Sequence, residues 1–384
     1  MKKPTRLAFY AIVMAFFVHS FVNGTRGVFL PQFKDSFGLG DVFIGSVNGL
    51  LGAVMMFSSM AAGEICARIG NKGLAILSLL FYVIAIVGLQ FASTPMAFVV
   101  FYAFTGFGAS SIAVAVNTSV PTLGLKKPGQ AMTIIHFGYG VGASLALFWM
   151  GDLIPRTGWR NAYLMVGLMI AIAIGVLMIT KFPVVKQTAK QAQAGRGYWK
   201  DPRFWMLSGI FGFYLTAELG LINWFPNYMK FALGMNDGSA SRMAALFFVF
   251  LTLGRLVGSF FMDRYSHKKI LAFFIGAMAL CLSIGLLVPG ISAFAIAFSG
   301  LFASVCFPSM MLVITAQFPD NHMRVMGAVS MVGAIVRMFG EFFVGSATQH
   351  FGAAVGFWLI PLFLVLALGI LINLILAPRR KIYG

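Results

Sequence analysis

The chain has 384 residues, 60% of them hydrophobic and 10% charged, with a mean hydropathy of +0.91. A soluble domain carries about 25% charged residues, so the composition excludes a soluble globular protein. The long apolar runs also exclude a β-barrel, whose strands would alternate over about ten residues. The formal net charge of +18 sits mostly in short loops, which sets membrane topology and calls for no nucleic-acid partner.

With about 20 apolar residues per crossing, an all-α membrane protein of twelve spans is expected: 7–31, 42–63, 73–93, 96–121, 129–151, 161–180, 204–229, 243–262, 270–290, 292–317, 325–349 and 353–377. The first follows Lys2, Lys3 and Arg6. It outruns the apolar core of about 7–15 residues in a signal peptide and reads as a retained span. With the N-terminus inside, twenty of the 28 Lys and Arg residues fall in inside segments. Five (Lys34, Arg156, Arg160, Lys230 and Arg242) fall in outside loops, and three lie within spans. That bias predicts both termini in the cytoplasm of a bacterial inner-membrane protein. The polar stretch 183–203 divides a first six-helix bundle over 1–182 from a second over 204–384.

The two halves repeat a loop pattern. After span two the chain reads Gly63, three residues, Ala67, Arg68, Ile69, Gly70, Asn71, Lys72. After span eight it reads Ser259, three residues, Asp263, Arg264 and then Lys268 and Lys269. Both loops resemble the cytoplasmic loop motif of the major facilitator superfamily, Gly-x-x-x-Asp-Arg-x-Gly followed by two basic residues. The resemblance implies the major facilitator fold and assigns Gly63, Arg68, Gly70, Asp263 and Arg264 to a conformational latch. The first copy has Ala67 where the acid belongs, and Glu64 stands one turn earlier as a replacement.

Five charges lie inside spans: Arg26 on span 1, Glu218 on span 7, Arg255 on span 8, and Arg337 and Glu341 on span 11. A charge in hydrocarbon costs at least about 2.5 kcal/mol, so each faces a protein interior or a wet cavity. In the superfamily, helices 3, 6, 9 and 12 form an outer scaffold, and those spans carry none of the five. Glu218 lies near mid-span and is a natural proton carrier; the alternative is a structural ion pair. Arg255, between Gly254 and Gly258, either pairs with Glu218 or binds substrate, while the glycines serve close packing. Arg337 and Glu341 are four residues apart and share a face, either as an internal pair or as functional groups. His19, Asn23 and Arg26 form one polar stripe, and Arg26 is close enough to the outer end to reach water. His19 and His136 are proton-relay candidates or hydrogen-bonded packing residues.

Three patches narrow the resemblance. These are Phe29 to Phe33 (Phe-Leu-Pro-Gln-Phe), His136-Phe-Gly-Tyr139-Gly-Val-Gly142, and Tyr214-x-x-x-Glu218 with Trp224, Tyr228 and Gly254-Arg255-Leu256. They resemble the fucose/glucose-galactose permease branch. That branch implies proton-coupled sugar uptake, with Tyr139, Tyr214 or Trp224 stacking on a sugar. The branch's acids on helices 1 and 4 are replaced by Gly27 and a position near Ala113, with Asn117 beyond. Proton coupling therefore falls to Glu218, Glu341, His19 or His136. Substrate contacts fall to Arg255, Arg26, Asn23, Tyr139, Tyr214, Asn117 and Arg337. The excess of one positive charge among the five favours an anionic solute such as a sugar acid.

The expected function is thus a secondary transporter moving a small polar solute with protons. An organic-anion carrier and a drug exporter are the rivals within transport. A membrane enzyme lacks support, because no His-Glu-x-x-His, Gly-x-Ser-x-Gly or P-loop pattern is present. Cys66, Cys281 and Cys306 show no metal-ligand spacing, and no cofactor or metal is expected. The expected partners are solute, protons and the lipid bilayer, with the chain a monomer.

Overall fold

The computed structural model describes residues 3–39, 41–183, 196–235 and 237–376. Its α-helices are α1 (Lys3–Phe37), α2 (Asp41–Phe91), α3 (Pro95–Thr122), α4 (Pro128–Ile179), α5 (Pro202–Phe231), α6 (Asp237–Gly258), α7 (His267–Leu287), α8 (Ser292–Ala303), α9 (Cys306–Gln317), α10 (His322–Phe351) and α11 (Ala353–Leu376). Short 3₁₀ turns occupy Arg196–Lys200 and Pro289–Ile291.

Several helix starts follow directly from sequence. α3 begins with Thr94 as cap, its Oγ1 accepting from the Ala97 N–H at 3.2 Å, and with proline in the first turn. α5 begins the same way: Asp201 Oδ1 accepts from the Arg203 N–H at 2.8 Å, ahead of Pro202. A side-chain acceptor satisfies an N–H that has no intrahelical partner, and proline has no N–H to satisfy. Burial pushes the Asp201 carboxyl up, but the bonds from Arg203 outweigh it and hold Asp201 below the ordinary carboxylate range.

The expectation of twelve helices in two six-helix halves is corrected here. Among the described residues eleven α-helices form, and nine stretches are long and apolar enough to cross a membrane. Two causes are visible. Where loops are predicted around Gly70 and Gly158, the chain is helical up to and after a single glycine. α2 and α4 are each continuous apart from Gly70 (φ 73°, ψ 174°) and Gly158 (φ 77°, ψ 154°). The predicted span 292–317 is broken into α8 and α9. Pro308 supplies no N–H to the carbonyl of Ser304, and its ring crowds that carbonyl, so the first helix stops there.

The backbone of Gly70 lies in a region that essentially only glycine occupies. Gly70→Ala is expected to lower unfolding stability in detergent by about 1–3 kcal/mol. Gly175 is helical with nothing within 4 Å of where its Cβ would stand; Gly175→Ala should be neutral or slightly stabilising. Equal melting temperatures for the two variants would remove the strain argument.

The chain forms two compact units, one of residues 1–193 with 320–328, the other of 194–319 with 329–384. Most of the linker expected over 183–203 lies outside the described residues. In the first unit α2 packs chiefly on α3, and α1 on α4. In the second, α5 packs on α11, and α8 on both α6 and α7. Leu168, Ile172, Phe273 and Leu280 are exposed. Large apolar side chains facing outward along such helices suit lipid, not water.

Candidate functional site

In the second unit the break between α8 and α9 organises a buried polar site. The break leaves the Ala303 carbonyl at the end of α8, and the Tyr214 hydroxyl of α5 donates to it at 3.0 Å. A terminal carbonyl away from water needs such a donor. One turn further along α5 is Glu218. A Cβ on Gly254 of α6 would stand 2.4 Å from Ser304 Oγ and 2.7 Å from the Leu301 carbonyl. Only a glycine lets α6 approach the broken helix so closely, and that approach carries Arg255 inward.

Glu218 is 7% exposed and Arg255 is 8% exposed. The groups acting on the Glu218 carboxyl are the Arg255 guanidinium and the Tyr214 hydroxyl. Cys306, the first residue of α9, is also within electrostatic reach of it. A helix start carries partial positive charge. The carboxyl thus lies within electrostatic reach of a cation, a phenol and the first residue of α9, and membrane transporters place ionic groups at interrupted helices.

In the first unit, polar groups from α1, α2, α3 and α4 form two small networks around Phe16. His19 Nδ1 is 2.7 Å from the Tyr82 hydroxyl, and the Asn23 amide nitrogen is 3.3 Å from His19 Nε2. That nitrogen also donates to the Tyr139 hydroxyl at 3.1 Å. His19 thus joins Tyr82 and Asn23 in one hydrogen-bonded chain. Asn23 Oδ1 is buried without a hydrogen-bond partner. The second network is His136 Nε2 donating to Asn117 Oδ1 at 3.2 Å. Phe16 lies 5.3 Å from the rings of His19 and His136 and 5.1 Å from that of Tyr139.

The other predicted residues are placed separately. Arg337 Nη1 and Glu341 Oε1 are 3.6 Å apart along α10, an ion contact longer than a hydrogen bond. Arg26 and Gly27 are on α1, but their side chains lie outside the described residues. Trp224 lies in van der Waals reach of a Cβ built at Gly345 of α10, at 3.4 Å. Asp263 and Arg264 occupy the turn before α7, with Asp263 acting electrostatically on His267. In the first loop Glu64 Oε2 accepts from Arg324 Nε at 2.8 Å, and Glu64 Oε1 accepts from Arg68 at 3.2 Å. Gly63 meets the first turn of α10 at backbone distance: its Cβ would stand 2.8 Å from the Met323 carbonyl.

Sequence reasoning did not single out Phe16 or Tyr82. Tyr82 had a signal, a hydroxyl inside an apolar run; Phe16 had none among 41 phenylalanines. The helix break beside Glu218 was also missed, although Pro308 announces it.

A model of the Major Facilitator Superfamily matches residues 12–241 and 213–383. The chain belongs to that superfamily. As a member of that superfamily it is a secondary transporter of the membrane. Among facilitator relatives, it is 25% identical over 279 residues to the cis,cis-muconate transport protein of Acinetobacter baylyi, covering 67% of this chain and 66% of the relative. It is 23% identical over 368 residues to a putative glucose/galactose transporter of Helicobacter pylori, covering 87% and 88%. Its fold is similar to that of a variant of the E. coli fucose:proton symporter FucP, with a TM-score of 0.82 at 16% identity, covering 97% and 99%. As a facilitator the chain thus shares its fold with the fucose permease branch.

Proposed function

We propose that this transporter couples protons to the movement of a small polar solute bearing a carboxylate, such as a sugar acid or another organic acid. The observation that carries this reading is the buried juxtaposition of Glu218, Arg255 and Tyr214 at the α8–α9 break. A buried guanidinium needs an anion beside it. With Glu218 ionised, that anion is Glu218 itself. With Glu218 protonated, its attraction for Arg255 is lost, and the guanidinium then favours the carboxylate of the solute. Proton and solute then enter together, because each makes room for the other. Arginine suits this role because its planar fork holds a carboxylate through two parallel bonds.

A second reading, a neutral sugar, is supported by the amide and phenol of Asn23 and Tyr139 and by the glucose/galactose and fucose relatives. The two readings separate in a thermal-shift panel of sugars, sugar acids and dicarboxylates on the purified protein. A ligand stabilises by RT ln(1 + [L]/Kd). On the carboxylate reading, organic acids raise the melting temperature and neutral sugars do not. Arg255→Ala should weaken that response by about 10- to 100-fold in ligand concentration, the loss of a charged hydrogen bond. A neutral sugar that stabilises wild type and Arg255→Ala alike would overturn the carboxylate reading.

A further inference from the structure

The first unit contains a cavity of about 730 Å³ that shares no residue with the Glu218–Arg255 site. It is lined by the α2 turn at 68–72, by Thr122 and Leu123 at the end of α3, by 181–183 after α4, and by 320–324 at the start of α10. The charge bias places these loops on the cytoplasmic side. Basic residues there are ordinary topology signals when they extend separately into water. Here they converge on one space.

Arg68, Lys72, Lys181 and Arg324 supply four cationic groups to the lining, against the carboxylate of Asp320. Glu64, behind Arg68 and Arg324, adds a second negative charge and leaves the excess positive. Lys72 is held in place by the Met178 and Thr180 carbonyls, each 2.9 Å from Nζ. Its charge is therefore fixed at the wall before any ligand arrives, which lowers the entropy cost of binding. α10 begins at this cavity with no acidic residue in its first turn. The positive end of a 30-residue helix thus adds to the same field.

We propose that this cavity binds an organic phosphate, a phosphomonoester or phosphodiester anion. Two guanidinium and two ammonium groups beside a helix start match the charge and the several acceptor oxygens of a phosphate better than a single carboxylate. The volume exceeds a bare phosphate ion and falls in the range of about 300–1,000 Å³ typical of organic-ligand sites. The phosphate can come from a soluble metabolite or from the head group of an anionic phospholipid, since basic pockets on the cytoplasmic side of membrane proteins hold such head groups.

The test is a thermal-shift titration of the full chain in neutral detergent with two probes, glycerol 3-phosphate and short-chain phosphatidylglycerol. Potassium chloride at matched ionic strength and short-chain phosphatidylcholine are the controls. A rise in melting temperature with glycerol 3-phosphate alone identifies a soluble ligand, and a rise with phosphatidylglycerol alone identifies a head group. A rise with both shows that the phosphate itself is recognised. Arg68→Gln combined with Lys181→Ala removes two exposed charges while keeping Lys72, which ties α2 to the end of α4. This variant should need at least tenfold more probe for the same rise. No rise in wild type with either probe, an equal rise with a control, or an unchanged titration in the variant overturns the proposal. The wild-type titration decides even if the variant does not fold.

Discussion

Glu218→Gln is expected to abolish proton-driven accumulation of the solute while leaving solute exchange intact. Glutamine keeps the size and hydrogen bonding of a protonated carboxyl but can neither take up nor release a proton. The variant permanently removes the negative charge of Glu218, on which Arg255 acts in wild type. Removing a carboxylate that acts on a buried guanidinium leaves that charge less compensated. The variant should therefore melt at a lower temperature, and a carboxylate ligand should restore more of that loss than it adds to wild type. In proteoliposomes with an imposed pH gradient, accumulation should fall at least tenfold, roughly 1.4 kcal/mol or more of lost coupling, while counterflow of labelled solute persists. Wild-type, solute-driven proton movement in Glu218→Gln would remove Glu218 as the carrier. His19 would then be the next group to test, through its bonds to Tyr82 and Asn23.

Gly327→Val should produce the second large effect, on the contact between α2 and the start of α10. A Cβ on Gly327 would stand 2.5 Å from the Ser59 carbonyl and 2.9 Å from the Gly63 Cα. These are backbone atoms, so no side chain can turn aside, and the helices must separate. The same contact carries the Glu64–Arg324 ion pair at 2.8 Å. Overpacking of this kind costs about 1–3 kcal/mol. Transport should drop at least tenfold, and a cysteine pair placed across the contact should cross-link less readily than in the otherwise unchanged protein. Glu64→Gln should loosen the contact less, because the Glu64 carboxylate is partly exposed and the pair is screened by water. Wild-type transport and cross-linking in Gly327→Val would show that this contact does not constrain the cycle.

Much of the site was legible one residue at a time. Glu218 and Arg255 announce themselves because ionised groups are rare in apolar spans, and the structure buries both at one place. His19 and Asn23 could be paired from their four-residue spacing alone, which puts them on one helix face. Other features depend on partners far away in the chain. Tyr214 reads as a ring free to stack on a sugar, yet its hydroxyl holds a carbonyl 89 residues away. Tyr82 and Tyr139 reach His19 and Asn23 from α2 and α4, and no local pattern marks such meetings. The helix count failed for a different reason. Hydropathy registers where apolar runs lie, but not whether two runs are divided by a loop or by one glycine, nor that a proline splits one run in two.

The sequence by itself determined the class of this protein, an all-α membrane transporter with buried charges, because hydrocarbon penalises charge and unpaired backbone wherever they occur. It also marked Glu64 as the candidate to replace the acid missing at Ala67. Only the tertiary structure decided what Glu64 binds, that Pro308 breaks the helix beside Glu218, and that four basic loop residues enclose one cavity. Those outcomes depend on distances between segments remote in sequence, which side-chain packing and close glycine contacts set.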